Sequence, residues 1–160
     1  MEIGIDIVEI ERIGQAWIRY GEAFLRRFMS EDEIGYCLKK KDPVPSIAGR
    51  FAAKEALVKA LGTGISGDVH WKSFEILNDS QGKPVVRVTG TGLAHLSGRV
   101  KVSISHDRHA AVAMAIISQE PGVGSRESGA GSREPGVRSQ ESGAGSQEPG
   151  VRSREPGAGR

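Results

Sequence analysis

Apolar and polar positions change their spacing along the chain, and the spacing predicts where strands and helices lie. Residues 2–10 (EIGIDIVEI) are rich in β-branched side chains and largely apolar on both faces, which predicts a strand. Over residues 11–28 apolar side chains return at helical spacing. Ile13, Trp17, Phe24 and Phe28 form this stripe together with Ile10, which directly precedes the segment. We expect this helix to bend at Gly21.

Two further helices are predicted before the middle of the chain. Ser30-Glu31-Asp32-Glu33 matches a capping box and predicts a helix from there to about Lys40. Ser46 is a candidate N-cap for the next helix, which includes the stretch GRFAAKEALVKALGTG (residues 49–64). Gly62 is the natural end of that helix, since glycine readily adopts the left-handed conformation at a helix C-terminus.

The second half of the domain is rich in predicted strands. The stretches SFEILND and KPVVRVTG flank Ser80-Gln81-Gly82, which is typical of a β-hairpin. RVKVSISHD and AAVAMAIIS predict two more strands around residues 106–109, after a short helix or loop at TGLAHLSG. An N-terminal strand and helices followed by an antiparallel sheet indicate the α+β class.

From residue 120 onward the composition changes to a seven-residue repeat. The repeat is EPGVGSR, ESGAGSR, EPGVRSQ, ESGAGSQ, EPGVRSR and EPGAGR. Each unit offers at most one small apolar residue and contains glycine, so it cannot bury enough surface to offset its conformational entropy. We therefore predict a folded domain over residues 1–119 and a disordered heptapeptide-repeat tail over residues 120–160.

Charge and cysteine content exclude several classes of protein. Residues 1–120 contain 16 Lys+Arg and 15 Asp+Glu, so net charge predicts no nucleic-acid partner. Cys37 is the only cysteine, which excludes an internal disulfide. The N-terminal stretch MEIGIDIVEIER does not resemble a signal peptide, and no segment approaches the roughly 20 apolar residues of a membrane helix. We expect a cytoplasmic protein with no membrane partner.

Two carboxylates and one lysine are the first candidates for chemistry. Asp6 shares a strand face with Gly4 and Val8, and a carboxylate on a buried face needs a cation or strong donors. Glu55 and Lys59 lie one helical turn apart, in the order that favours an ordinary ion pair. Two carboxylates with open positions for water also suit Mg²⁺, and Lys59 could then reach phosphate oxygens. Both interpretations stay open at this point.

Three other features of the sequence each allow two interpretations. Gly62-Thr63-Gly64 could let a ligand lie close to the backbone or simply end the helix; no Gly-Lys-Ser/Thr follows, so it is not a Walker loop. Arg50 and Lys54 lie on the same helix among small and apolar residues, and one of them could simply face solvent. His106 could donate to a phosphate or be structural, and its position beside Asp107 on a strand argues against a Ser-His-Asp triad.

Three arginines recur every seven residues. Arg12, Arg19 and Arg26 share one face if the helix continues through Gly21. Such a row is either a solvated face or a docking surface for an acidic partner.

Four of these motifs together resemble a known family. "IGID" near the N-terminus, "GRFAAKEALVKALGTG", a later "GKP" and "SISH" resemble the holo-[acyl-carrier-protein] synthases, small stand-alone members of the 4′-phosphopantetheinyl transferase superfamily. The resemblance covers residues 1–118 in the order and approximate spacing of that family. It implies the 4′-phosphopantetheinyl transferase fold.

The resemblance also implies an activity. The family transfers 4′-phosphopantetheine from coenzyme A to a serine of an acyl carrier protein, leaving adenosine 3′,5′-bisphosphate. Asp6 and Glu55 match its Mg²⁺-binding carboxylates, and Lys59 matches a lysine near the coenzyme A pyrophosphate. By the same resemblance, Glu55 and Lys59 are the candidate catalytic residues; the general base is either Glu55 or a metal-bound water.

Further residues and the assembly follow from the same resemblance. Arg50, Gly62-Thr63-Gly64 and His106 match positions associated with coenzyme A binding. Family members are typically homotrimers with active sites between subunits. If the partner is an acidic carrier protein, we expect it to dock on the row of Arg12, Arg19 and Arg26. Without the resemblance, a Mg²⁺-dependent nucleotide hydrolase or phosphotransferase fits the same spacing. A non-catalytic module that binds coenzyme A or a protein would need neither Asp6 nor Glu55.

Overall fold

A central helix and a three-stranded antiparallel sheet form the body of the domain. The computed structural model describes residues 1–65, 67 and 69–119. In chain order the elements are β1 (Glu2–Glu9), α1 (Ile10–Tyr20), α2 (Glu22–Leu25), α3 (Glu31–Leu38), α4 (Val44–Leu61), β2 (Phe74–Asn78), β3 (Pro84–Val88), β4 (Val100–His106) and β5 (Ala110–Ile117). Short 3₁₀ turns lie at Trp71–Ser73 and Thr91–Leu96.

The first strand of the chain pairs with the last. β1 is antiparallel to β5, which is antiparallel to β4, so the strand order is β1-β5-β4. β2 and β3 form a separate two-stranded sheet, and the predicted hairpin between them is confirmed. The α+β class is confirmed as well, although the pairing of β1 with β5 joins the two ends of the domain in one sheet.

Helix α4 is buried on nearly all sides. Most of its residues are small or apolar, so several neighbours can pack on it. Gly4 on β1 is one reason for the close fit. A side chain there would collide with the backbone of Ala56 and Ala60 on α4. The absence of a side chain at Gly4 thus lets β1 lie directly on α4, with Asp6 two residues further along the same strand face.

The ends of α4 fit the prediction at one terminus only. Gly62 ends the helix in the left-handed conformation (φ 72°), and its N–H donates to the Lys59 carbonyl at 3.1 Å. The helix begins at Val44, however, so the prediction of Ser46 as its N-cap is wrong. Pro45 lies in the first turn, where the missing N–H would have no helical partner anyway. The helix can therefore begin ahead of Ser46.

The first helical region is broken at Gly21 and not merely bent. Helix α1 ends at Tyr20, and Gly21 has φ 58° and ψ −147°. The short helix α2 follows it. The helix does not continue through Gly21, so Arg12, Arg19 and Arg26 do not share one helix face.

The capping box at the start of α3 is confirmed. Ser30 Oγ accepts from the Glu33 N–H at 3.2 Å, and the Ser30 N–H donates to Glu33 Oε2 at 2.8 Å. The helix ends at Leu38, two residues before the expected end.

The predicted tail, residues 120–160, lies outside the described residues. In the described part of the chain, no helix is long and apolar enough to cross a membrane.

Candidate active site

Asp6 and Lys59 form an ion pair between β1 and α4. Lys59 Nζ lies 2.8 Å from Asp6 Oδ1 and 3.2 Å from the Ile5 carbonyl oxygen. The hydrogen bond to Asp6 raises the pKa of Lys59, and the charges of Asp6 and Glu55 add to this effect. The Asp6 carboxylate thus has the cationic partner expected for its buried strand face, and Lys59 stays protonated at neutral pH.

Glu55 is held by a tryptophan and not by Lys59. Trp71 Nε1 donates to Glu55 Oε1 at 2.8 Å. Among the ion pairs of the described residues, none joins Glu55 to Lys59 within 4.0 Å, so the ordinary one-turn pair suggested by their spacing is absent. Sequence reasoning missed Trp71, because nothing in the spacing of residues 55 and 71 indicates that they meet.

One open cleft brings both carboxylates to the surface. Its volume is about 630 Å³, and Asp6, Glu55 and Arg12 line it. The remaining wall is mostly apolar and comes from β1, α1 and α4, including Phe51. The cleft therefore combines three carboxylates, the third from Glu9, and a guanidinium with an apolar surface. With a cation at the carboxylates, this suits a phosphate-bearing ligand that has an apolar part.

The donors in this cleft fit a magnesium ion. Asp6 and Glu55 offer carboxylate oxygens, the ligands that Mg²⁺ prefers. Within the described residues, no group of three or more His, Cys, Asp or Glu side chains could hold a metal. A cation here would take the rest of its ligands from water or phosphate, which is the usual arrangement for Mg²⁺ and not for Zn²⁺.

Arg50 and His106 lie in a second, smaller cleft of about 170 Å³. Gly82 and Pro84, from the "GKP" stretch, line it too. The residues lining the two clefts do not overlap. The structure therefore brings Arg50 and His106 to one cleft of the subunit, and Asp6 and Glu55 to the other.

The guanidinium of Arg50 is fixed by contacts within the domain. It donates to the Ile76 carbonyl at 3.0 Å and to Asn78 Oδ1 at 2.8 Å. It also lies 4.4 Å from the centroid of the Tyr36 ring, a cation–π distance. Arg50 is thus a rigid positive group in the wall of the second cleft.

Lys54 is completely buried, and so is most of Arg50, so the expectation that one of them could face solvent is wrong. The Lys54 ammonium donates to Glu33 Oε2 at 2.8 Å, the Trp71 carbonyl at 3.1 Å and the Phe74 carbonyl at 2.6 Å. Burial lowers the pKa of Lys54, and the Glu33 charge opposes this shift. The sequence did contain a signal for this burial, because most residues around Lys54 on the helix are small or apolar.

The three arginines of the predicted row have different surroundings. Arg12 lines the larger cleft, and Arg19 is exposed on the same helix. Arg26 lies 3.0 Å from Glu22 and 3.0 Å from Glu31, and its hydrogen bond to Glu31 raises its pKa. Two of the arginines are therefore presented by α1, whereas the third is already paired with acidic side chains.

Gly62-Thr63-Gly64 is an exposed turn directly after α4. Gly62 and Gly64 both have positive φ, 72° and 67°. Thr63 Oγ1 donates to the Gly64 carbonyl at 3.3 Å. The turn begins three residues after Lys59, at the end of the helix that carries Glu55.

Comparison with known proteins gives consistent results. Residues 2–115 match the family model described as the 4′-phosphopantetheinyl transferase superfamily. The holo-[acyl-carrier-protein] synthase of Chlorobium limicola is 71% identical over 126 residues, which are 79% of this chain and 100% of the relative. The synthase of Pelodictyon phaeoclathratiforme is 61% identical over 117 residues, covering 73% of this chain and 98% of that one.

A solved structure agrees with these sequence relatives. The Helicobacter pylori holo-[acyl-carrier-protein] synthase in complex with coenzyme A is 37% identical, with a TM-score of 0.65. The match covers 72% of this chain and 99% of that chain. The similarity therefore extends over nearly the full length of the relatives and leaves residues near the C-terminus of this chain outside it.

Proposed function

Since this chain belongs to the 4′-phosphopantetheinyl transferase superfamily and is an enzyme of the holo-[acyl-carrier-protein] synthase type, we propose the following reaction. The enzyme transfers 4′-phosphopantetheine from coenzyme A to a serine of an apo acyl carrier protein and releases adenosine 3′,5′-bisphosphate. The transfer depends on Mg²⁺ held by Asp6 and Glu55. It takes place in the cytoplasm and serves fatty acid biosynthesis.

The meeting of Asp6, Glu55 and Lys59 carries this proposal. Both carboxylates line one cleft, and the Lys59 ammonium lies 2.8 Å from Asp6. When bound there, Mg²⁺ would neutralise charge on the coenzyme A pyrophosphate and act as a Lewis acid on it. Lys59 adds a second, permanent positive charge beside the same phosphates, because its pKa is raised.

The covalent step is an in-line displacement at phosphorus. The serine oxygen of the carrier protein attacks the β-phosphorus of coenzyme A, and the bridging bond from this phosphorus to the oxygen of the adenosine bisphosphate breaks. Lys59 stabilises the negative charge that develops on the phosphate oxygens. The serine proton goes to Glu55 or to water, and the two routes predict different pH profiles.

Arg50, His106 and the Gly62-Thr63-Gly64 turn are the proposed contacts to the rest of coenzyme A. Arg50 and His106 share a cleft, and the guanidinium is fixed by three hydrogen bonds. A fixed guanidinium suits a phosphate group, since less entropy is lost on binding. The turn after α4 leaves its backbone exposed to a ligand. The Helicobacter pylori relative was solved in complex with coenzyme A, which supports coenzyme A as the ligand.

A homotrimer would join the two clefts. The sheet face opposite α4 is apolar and exposed: Ile3 53%, Ile5 56%, Ile7 68%, Val112 38% and Met114 38%. An apolar face of this kind marks a protein–protein contact more often than a free surface. We propose that neighbouring subunits cover it, so that Arg50 and His106 of one subunit meet Asp6 and Glu55 of another.

The carrier protein docks on α1 in this proposal. Arg12 lines the cleft that holds Asp6 and Glu55, and Arg19 lies two turns further along the same helix. Exposed arginines steer an acidic partner and anchor it. Arg26 belongs to the proposed docking set too, but its guanidinium would first have to leave Glu22 and Glu31.

Intact-mass spectrometry tests the function directly. A recombinant apo acyl carrier protein is incubated with the enzyme, coenzyme A and Mg²⁺, and with EDTA as control. A metal-dependent gain of one phosphopantetheine on a serine is the expected result. If several folded carrier proteins show no gain, the transferase assignment fails, and release of adenosine 3′,5′-bisphosphate without a carrier would indicate a hydrolase.

A further inference from the structure

We propose that Trp71 is a positioning residue for Glu55: its indole N–H holds one carboxylate oxygen so that the other is presented to the metal. This inference rests on the proposed function, in which Glu55 is a Mg²⁺ ligand. It concerns a residue outside the motifs that the sequence analysis identified. Trp71 begins the short 3₁₀ turn at Trp71–Ser73, away from the segments that supply Asp6, Glu55 and Lys59.

The contact between the two residues is short and directional. Trp71 Nε1 lies 2.8 Å from Glu55 Oε1. An indole N–H can only donate, and a hydrogen bond to a carboxylate is stronger than one between neutral groups. Within the described residues, Oε2 of Glu55 accepts no hydrogen bond. One oxygen is therefore fixed, and the other stays available in the cleft that Glu55 lines.

Other contacts hold the indole in place. The Trp71 carbonyl accepts from Lys54 Nζ at 3.1 Å, and Lys54 is wholly buried. The ring lies 6.2 Å from the ring of Phe51 at a tilt of 43°. Phe51 precedes Glu55 by one turn on α4, so the same helix supports the indole and carries the carboxylate. The indole N–H consequently has little freedom to leave Glu55.

Without this hydrogen bond Glu55 has a competing partner. Lys59 lies one turn further along α4, at the spacing and in the order of a favourable Glu–Lys pair. In the structure Lys59 pairs with Asp6 and Glu55 pairs with Trp71. Removal of the indole N–H would free Glu55 to turn toward Lys59 and away from a metal shared with Asp6. Trp71 thus keeps Glu55 available for a cation that Asp6 would share.

Substitution of each tryptophan by phenylalanine tests this role. Trp71→Phe keeps an aromatic ring but removes the donor, and Trp17→Phe is the matched control at the other tryptophan. Binding of Mn²⁺, as a substitute for Mg²⁺, is followed by the EPR signal of the free ion, with coenzyme A present and carrier protein absent. For Trp71→Phe we expect Mn²⁺ affinity to fall by about tenfold or more. Trp17→Phe should stay within about twofold of wild type.

Kinetics provide a second readout on the same variants. In Trp71→Phe the half-saturating Mg²⁺ concentration should rise by a factor similar to that for Mn²⁺ binding, while KM for the carrier protein stays unchanged. A residue that merely supports the fold would lower the amount of active enzyme without this selective change. Equal metal affinity of Trp71→Phe and Trp17→Phe would overturn the proposal.

Fluorescence keeps the proposal testable if Trp71→Phe does not fold. In Trp17→Phe the only remaining tryptophan is Trp71, so Mg²⁺ should change its emission, and the added substitution Glu55→Gln should abolish that change. Mn²⁺ binding by wild type together with unchanged Trp71 emission would overturn the positioning role alone. If wild type binds no Mn²⁺, that result excludes both the metal site of the proposed function and the positioning role of Trp71.

Discussion

The Lys59 ammonium nitrogen lies 2.8 Å from Asp6 Oδ1, although the two residues are 53 positions apart. Asp6 comes from the first strand and Lys59 from the last turn of the central helix. This pair places a cation beside one of the two carboxylates proposed to bind Mg²⁺. Glu55 accepts instead from the indole N–H of Trp71, which is neutral and does not cancel the carboxylate charge.

Lys59→Met should separate catalysis from metal binding. Lys59 supplies charge to the transferred phosphoryl group, so its removal should lower kcat by roughly 10²–10³-fold. Lys59 also competes with a metal for Asp6, so the half-saturating Mg²⁺ concentration should not rise. Steady-state kinetics with varied Mg²⁺ measure both. A rise in that concentration with unchanged kcat would show that Lys59 serves the metal site and not the phosphates.

Glu55→Gln should reduce phosphopantetheine transfer to the level of the EDTA control. The amide keeps the shape of the side chain and an acceptor for Trp71, but it removes the charge that a metal requires. The mass of the carrier protein measures transfer, and circular dichroism verifies the fold. Glu22→Gln, at an exposed position of α2, is the matched control. Retained Mg²⁺-dependent activity would show that Glu55 is not a ligand of the metal.

Charge reversal on α1 should weaken carrier-protein binding selectively. Arg12→Glu combined with Arg19→Glu should raise KM for the carrier protein by about tenfold or more, because like charges then face each other. The KM for coenzyme A should change much less. Arg26→Glu is the comparison, and its effect should be smaller because Arg26 is already paired with Glu22 and Glu31. An equal rise in both KM values would contradict docking on α1.

Loss of the buried Lys54 charge should destabilise the fold strongly. Lys54→Met keeps the length of the side chain but leaves the buried Glu33 carboxylate without its cation, at a cost of about 3–5 kcal/mol in the free energy of unfolding. Urea titration measures the loss. Lys40→Met, at an exposed lysine, should change stability by less than about 0.5 kcal/mol. A loss below about 1 kcal/mol for Lys54→Met would mean that Glu33 finds another partner.

A charge on the exposed sheet face should disrupt the proposed trimer. Ile7→Lys places an ammonium on the apolar face of β1, beside the larger cleft, where a neighbouring subunit would bury it. Sedimentation analysis should then find monomers, and transfer activity should fall because the two clefts no longer meet. Ile18→Lys, at an isoleucine 85% exposed on α1, is the matched control for assembly. An unchanged trimer in Ile7→Lys would exclude this face as the contact.

Local patterns in the sequence predicted the elements and several of their ends. The strand at residues 2–10, the hairpin at Gly82 and the capping box of Ser30 and Glu33 depend on neighbouring residues, so they can be recognised without the fold. The same holds for Gly62, since a left-handed residue at the end of a helix needs glycine. The resemblance of four short motifs to a family added the candidate residues.

The partners of the charged side chains depend on how distant elements pack and cannot be found from local patterns. Helical spacing favoured a Glu55–Lys59 pair, but the close packing of β1 on α4 at Gly4 brought Asp6 to Lys59. Residues 71–74 likewise supply two carbonyls to Lys54 and the indole N–H to Glu55 from a distant part of the chain. Periodicity describes neighbours along one element. The partner of a charged group depends on which elements pack together, and on the need of each buried charge for a nearby counter-charge or hydrogen bond.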